Sequence, residues 1–259
     1  MTVRDTPWPP GTPCWVDLMS TDLAAARLFY EGLFGWQLGE TGPDGGGYLM
    51  AYVDDKPVAG LGPMMQDQNH PSVWTTYLAS VDAGATTAKI TAAGGSVLAP
   101  AFDVLDVGVM AIAQDPTGGT FGLWQAKKHF GAALANEPNS LTWNEFMTRD
   151  YAAARTFFAD VFGYTYQDMS GDGFQYAGIE VDGKVVGGIG ALSADLPAEV
   201  PAHWRVYFAV DDADQAVDEV VRLGGDVLSP PQDMPYGRHA DVADPQGARF
   251  SVLRPGQPA

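Results

Sequence analysis

The segment Cys14 to Trp36 recurs as Thr142 to Tyr164, and this recurrence constrains the fold more than any other feature of the chain. Trp15 matches Trp143, Asp22 matches Asp150, Arg27 matches Arg155 and Phe29 matches Phe157, each 128 positions apart, as 143 − 15 and 157 − 29 show. A fixed long period marks a duplicated structural unit. A chain of 259 residues then divides into two similar modules of about 125 residues, each long enough to bury a core. The boundaries fall at 1–126 for the first module, 127–140 for a linker and 141–259 for the second.

Within each module a smaller pattern repeats. Cys14 to Met19 alternates, with Cys14, Val16 and Leu18 on one face and Trp15, Asp17 and Met19 on the other, as in a half-buried strand. Ser20-Thr21-Asp22 supplies a helix N-cap, Ala26, Phe29, Tyr30 and Leu33 recur at helical spacing, and Gly35 stops the helix. A hairpin turning at Asp54-Asp55-Lys56 follows. Val73 to Ser80 then opens a second strand–helix passage, capped at Asp82, stopped by Gly94-Gly95 and closed by strands around Asp115-Pro116-Thr117-Gly118-Gly119. The second module follows suit, with Asp182-Gly183-Lys184, a cap near Asp211-Asp212, a stop at Gly224-Gly225 and a turn at Asp244-Pro245-Gln246-Gly247. The fold class is α+β: four βαβββ units in tandem, forming two cup-shaped modules of mixed sheet.

Composition narrows the function classes. The formal charge is −18, which repels phosphate backbones and argues against nucleic acid and anionic membranes as partners. Cys14 is the single cysteine, so neither an intrachain disulfide nor a cysteine-cluster zinc site can form. Met1 to Gly11 lacks the basic and apolar regions of a signal peptide, and no run of about 18 apolar residues occurs, so a cytoplasmic protein is expected. The glycines of Ala59-Gly60-Leu61-Gly62 and Gly187-Gly188-Ile189-Gly190 read as bulges in tightly curved sheets rather than as phosphate loops.

Four βαβββ units with Phe-Gly helix ends, Gly-Gly stops and Asp-Pro-x-Gly turns resemble the vicinal-oxygen-chelate superfamily, which includes glyoxalase I, bleomycin-resistance proteins and extradiol dioxygenases. The resemblance spans residues 12–254. It implies that each pair of units curls into a cup with helices outside and a ligand pocket inside. It also implies a divalent ion in the metal-dependent members, held by His, Gln and Glu. Carried onto this chain, the first ligand position is Trp15 or Trp143, and the last-strand position is Gly122 or Ser251. The fifth-strand position is Thr75 or Thr76 and Arg205 or Val206, and the hairpin position is near Tyr52 and Glu180. Of these only Glu180 could ligate, so no metal and no cofactor are expected. The histidines are scattered: His70 in a polar linker, His129 between the modules, His203 before a strand and His239 in Tyr236-Gly237-Arg238-His239. A two-His set from His203 and His239 with Glu145 or Glu180 is the alternative.

If Trp15 and Trp143 face into their cups, period two brings Asp17 and Glu145 with them. Tyr52, Trp74 and Trp124 are further ligand-binding candidates for the first cup, and Glu180, Arg205 and Tyr207 for the second. Glu145, Arg238 and His239 are the catalytic candidates. The expected function is metal-independent binding of a small aromatic compound, as in sequestration or resistance. The alternatives are a metal-independent lyase, isomerase or hydroxylase, or a metal-dependent glyoxalase or extradiol dioxygenase. The expected partner is a small-molecule ligand, and the chain is expected as a monomer with an internal pseudo-dimer or as a homodimer.

Overall fold

The computed structural model describes residues 2–64, 71–171 and 173–256; His70 lies outside them. In chain order the strands are β1 (Thr2–Val3), β2 (Pro13–Ser20), β3 (Gln37–Glu40), β4 (Leu49–Val53), β5 (Lys56–Pro63), β6 (Val73–Ala79), β7 (Ser96–Val104), β8 (Gly108–Gln114), β9 (Thr120–Ala126) and β10 (Leu134–Ala135). They continue as β11 (Leu141–Thr148), β12 (Thr165–Asp168), β13 (Tyr176–Val181), β14 (Lys184–Ala191), β15 (His203–Ala209), β16 (Asp226–Met234), β17 (Gly237–Ala243) and β18 (Arg249–Pro255). The α-helices are α1 (Leu23–Phe34), α2 (Ala83–Ala92), α3 (Tyr151–Phe162) and α4 (Ala213–Arg222). None of these is long and apolar enough to cross a membrane.

The capping chemistry sets the helix boundaries. The side chains of Asp22, Asp82, Asp150 and Asp212 each accept a backbone N–H in the first turn, satisfying donors that a helix start leaves orphaned. Gly35 and Gly163 end α1 and α3 in the left-handed region, at φ 65° and 75°, where a side chain would be strained. The edge strands β7 and β16 run further than the sequence pattern indicated, through Pro100 and through Pro230-Pro231. Both stretches coincide with register shifts, where a residue without an N–H costs no ladder bond.

One sheet runs β3-β4-β5-β2-β6-β9-β8-β7 and the other β12-β13-β14-β11-β15-β18-β17-β16. The pair β1 and β10 ties the N-terminal arm to the inter-module segment and, through it, to β11. The sheets therefore carry four βαβββ units in the α+β arrangement expected.

The cores do not respect the repeat. Tyr30, Phe34 and Trp36 of the first module pack with Phe208 and Phe250 of the second, with ring centroids 5.1 to 6.1 Å apart for the Phe34–Phe208, Trp36–Phe208, Tyr30–Phe250 and Phe34–Phe250 pairs. In the other direction Phe157 and Phe158 of α3 pack on Phe121 of β9. The Tyr30 hydroxyl donates to Asp244 at 3.1 Å, and Thr76 donates to Asn144 at 2.9 Å within the buried layer. The two sheets thus meet through their helix-bearing faces, and the opposite faces, the two cups, point away from each other.

Candidate functional site

Each cup is organised by one hydrogen-bonded chain of side chains, and the two chains are equivalent. In the first cup the Trp15 indole N–H donates to the Tyr48 hydroxyl at 3.0 Å. The Tyr48 and Tyr77 hydroxyls donate to Asp17 Oδ2 at 3.4 and 3.0 Å. In the second cup Trp143 donates to Tyr176 at 3.0 Å, while Tyr176 and Tyr207 donate to Glu145 Oε2 and Oε1 at 2.8 and 2.7 Å. Two phenols donating to one carboxyl group fix its orientation in the cup.

The strand ladders explain the arrangement. Trp15 lies opposite Tyr77, and Tyr77 lies beside Gly122; Trp143 lies opposite Tyr207, and Tyr207 beside Ser251. The fifth-strand position of the repeat is therefore Tyr77 or Tyr207, not Thr75, Thr76, Arg205 or Val206. Tyr48 and Tyr176 each reach across one intervening strand, β5 or β14, to the carboxylates, and glycines on that strand make room for them. A Cβ on Gly60 would stand 1.8 Å from the Tyr48 hydroxyl, and one on Gly188 1.9 Å from that of Tyr176. The hairpin glycines are thus clearance for two rings. The register shifts sit on the neighbouring strand, between Ala51 and Tyr52 and between Ile179 and Glu180.

The structure brings together Trp15, Asp17 and Trp124 in the first cup and Trp143, Glu145, Arg205, Tyr207 and His239 in the second. It places four other candidates elsewhere. Trp74 faces the helix layer, where its indole donates to Tyr30 at 3.0 Å, because pairing Trp15 with Tyr77 turns residues 74, 76 and 78 to the opposite face. Arg238 points to the helix side, ion-paired with Asp214 of α4 and with Asp233, because its neighbour His239 faces the cup. Tyr52 lies at the sheet margin over Gly39, and Glu180 accepts a hydrogen bond from Thr165 at 3.0 Å on the outer strand pair.

Tyr48, Tyr176 and Asp241 are site residues that the sequence pattern did not single out, and His129 is one that it placed only between the modules. Tyr48 and Tyr176 carried a signal, because they are separated by the repeat length of 128. His129 carried none. Its ring makes T-shaped contacts with Trp15 at 4.4 Å and with Trp124 at 5.5 Å. Asp241 accepts from Ser251 at 2.6 Å and lies 3.4 Å from Arg205, whose guanidinium is 3.6 Å from Glu145.

The cups differ in polarity and access. Trp15 is 3% exposed, while Trp143 is half-buried and Tyr236 at the rim of the second cup is half-exposed, stacked on His239 with centroids 5.7 Å apart. The ladder positions of Arg205, Asp241, Ser251 and His239 correspond in the first cup to Thr75, Ile112, Gly122 and Met110. Burial pushes the Asp17 carboxyl up to about 7, against the lowering effect of its phenol partners. Burial pushes the His129 imidazole down to about 4 and the Cys14 thiol up. A groove of about 240 Å³ lined by Trp8, Cys14, Ala79, Trp124 and Phe130 lies outside the Trp–Tyr–carboxylate chain.

The residues do not fit the divalent ion that the resemblance implies. Among the described residues no three His, Cys, Asp or Glu side chains come together to hold one. The row Trp15–Tyr77–Gly122 offers one phenol, and the Tyr77 ring fills the space at Gly122, where an added Cβ would stand 2.1 Å from it. His203 turns away to the Pro201 carbonyl at 2.9 Å. Gly122→Ala is accordingly expected to lower stability by about 1–3 kcal/mol, measured by denaturant titration, because the added methyl meets a packed ring.

Comparison with known proteins agrees with this architecture. The model of the Glyoxalase/Bleomycin resistance protein/Dioxygenase superfamily matches residues 14–123 and again 140–252. "Putative glyoxylase CFP32" of Mycobacterium bovis is 43% identical over 251 residues, covering 95% of each chain. "Anthracycline biosynthesis protein DnrV" of Streptomyces peucetius is 38% identical over 270 residues, covering 98% of each. Among solved structures, the 2,3-dioxygenase LapB of Pseudomonas sp. KL28 superposes with a TM-score of 0.65 at 17% identity, covering 97% of this chain and 94% of that one. Such a likeness concerns the fold alone. With two successive matches of the family model and long-range identity to curated relatives, the chain belongs to the Glyoxalase/Bleomycin resistance protein/Dioxygenase superfamily.

Proposed function

We propose that the protein binds a small planar aromatic compound in its second cup without a metal ion. The observation that carries this reading is the contrast between cups built on one plan. The second is walled by the half-buried Trp143 and the half-exposed Tyr236, and lined by Glu145, Arg205 and Asp241. Aromatic walls with few convergent polar groups suit stacking on a flat ligand whose edge bears oxygen or nitrogen. Sequestration, as in the resistance branch of the family, requires no more than this. The name of the Streptomyces peucetius relative places that protein in anthracycline biosynthesis, and planar polycyclic compounds of that class carry the flat face and oxygenated edge this reading calls for.

The test is calorimetric titration with a dihydroxyanthraquinone in the presence of a chelator. Saturable binding is expected, with Trp143→Ala weakening it by about 2 kcal/mol, or about thirtyfold in Kd. Binding that needs an added divalent ion, or that Trp143→Ala leaves intact, would sink the reading. A second reading, metal-independent catalysis, has Glu145 behind it, since this carboxylate sits among two phenols and a guanidinium in the more open cup. Turnover of a bound substrate that disappears in Glu145→Gln while binding persists would favour it.

A further inference from the structure

We propose that the first cup is a second ligand site, for a planar heteroaromatic molecule bearing an N–H or O–H donor, and that the side chain of His129 occupies it in cis. The floor of this cup repeats that of the second: Trp15, Tyr48, Asp17 and Tyr77 stand where Trp143, Tyr176, Glu145 and Tyr207 stand. The occupant does not belong to the sheet. His129 follows β9, on a segment whose backbone returns to the β7–β8 turn through His129 N–H to the Val107 carbonyl at 3.0 Å. The Trp124 indole donates to the His129 carbonyl at 2.9 Å. The flanking Lys127–Asp103 and Lys128–Asp106 ion pairs are exposed, and exposed pairs contribute little.

The imidazole meets Trp15 edge-to-face, at 4.4 Å and an interplanar angle of 87°, as a bound ring would. Its fit is incomplete. Among the described residues His129 Nε2 is buried without a hydrogen-bond partner, and so is Oδ1 of Asp17, a residue only 5% exposed. A plain core filler would be apolar, because each unmet buried polar atom costs about 1–3 kcal/mol that a phenyl ring would avoid. A ligand that meets Trp15 edge-to-face in place of His129 and donates to Asp17 Oδ1 satisfies the carboxylate and releases His129 Nε2 to solvent. The first cup is a separate site, and its occupant is set by Trp15, Asp17 and His129 whatever the second cup binds.

The test is complementation by free imidazole. Truncating a buried ring leaves a cavity that takes up a small molecule of the lost shape. In His129→Gly, imidazole at about pH 8, where it is neutral, is expected to bind about tenfold or more tightly than to the wild type and to raise the melting temperature. 1-Methylimidazole, which lacks the donor, is expected to bind more weakly. The double variant His129→Gly with Trp15→Phe is expected to weaken the response. A folded His129→Gly protein with no response beyond that of the wild type overturns the proposal. Equal affinity for both probes overturns the donor requirement. Should the glycine variant fail to fold, His129→Ala keeps the backbone restrained and is read by the same criteria.

Discussion

Residues 1–126 and 141–259, expressed separately, are expected to lack cooperative melting and to bind hydrophobic dyes. The helix layer is shared: Phe29, Tyr30, Phe34, Trp36 and Trp74 of the first module are buried in one cluster with Phe208, Phe250 and Val252 of the second. A lone half would expose that cluster, whose aromatic members bury about 150–250 Å² each. Mixed halves are expected to regain a single transition. Within the intact chain, Phe208→Ala should cost about 3–5 kcal/mol and lower the stability of both modules together, because Phe208 contacts Phe34, Trp36 and Trp74 across the repeat. Independent, cooperative melting of either half would refute the shared-core argument. A single shared transition would make the modules units of duplication that fold as one.

Asp17 is expected to make stability fall as pH rises. Its carboxyl is buried against Tyr48 and Tyr77, and its folded pKa stands near 7 against 3.8 for the ordinary group. The folded protein therefore holds a proton that the unfolded chain releases, and unfolding free energy declines across that window. Below it the effect of Asp17 is absent; above it the full loss, on the order of 4 kcal/mol, persists. Asp17→Asn should flatten this part of the stability profile and raise stability above neutrality, read from urea melts between about pH 4 and pH 8. A variant profile that still falls with the wild-type slope would show that another group is responsible. The equivalent Glu145 has Arg205 at 3.6 Å and two phenols, a partner set that the first cup does not reproduce.

In the amino-acid sequence by itself the duplication was legible as a period of 128, and the order of the main strands and helices, the caps and the turns was legible because each rests on chemistry within a few residues. Asp22 needs only the amide three residues on, and Gly35 only its own backbone angle. The sequence also determined that Asp17 shares a face with Trp15, since alternation along one strand is local. The tertiary structure decided what crosses between strands. The ladder pairing Trp15 with Tyr77 sent Trp74 into the helix layer, and a one-residue difference in that register would have reversed the outcome. The hydrogen-bonded chains through Tyr48 and Tyr176 depend on phenols reaching across glycines on a neighbouring strand, a relation invisible in either segment alone. His129 came from an irregular connection into the first cup, and Arg238 was drawn to α4 by Asp214. In each case long-range register or packing chose between faces that local pattern leaves equivalent.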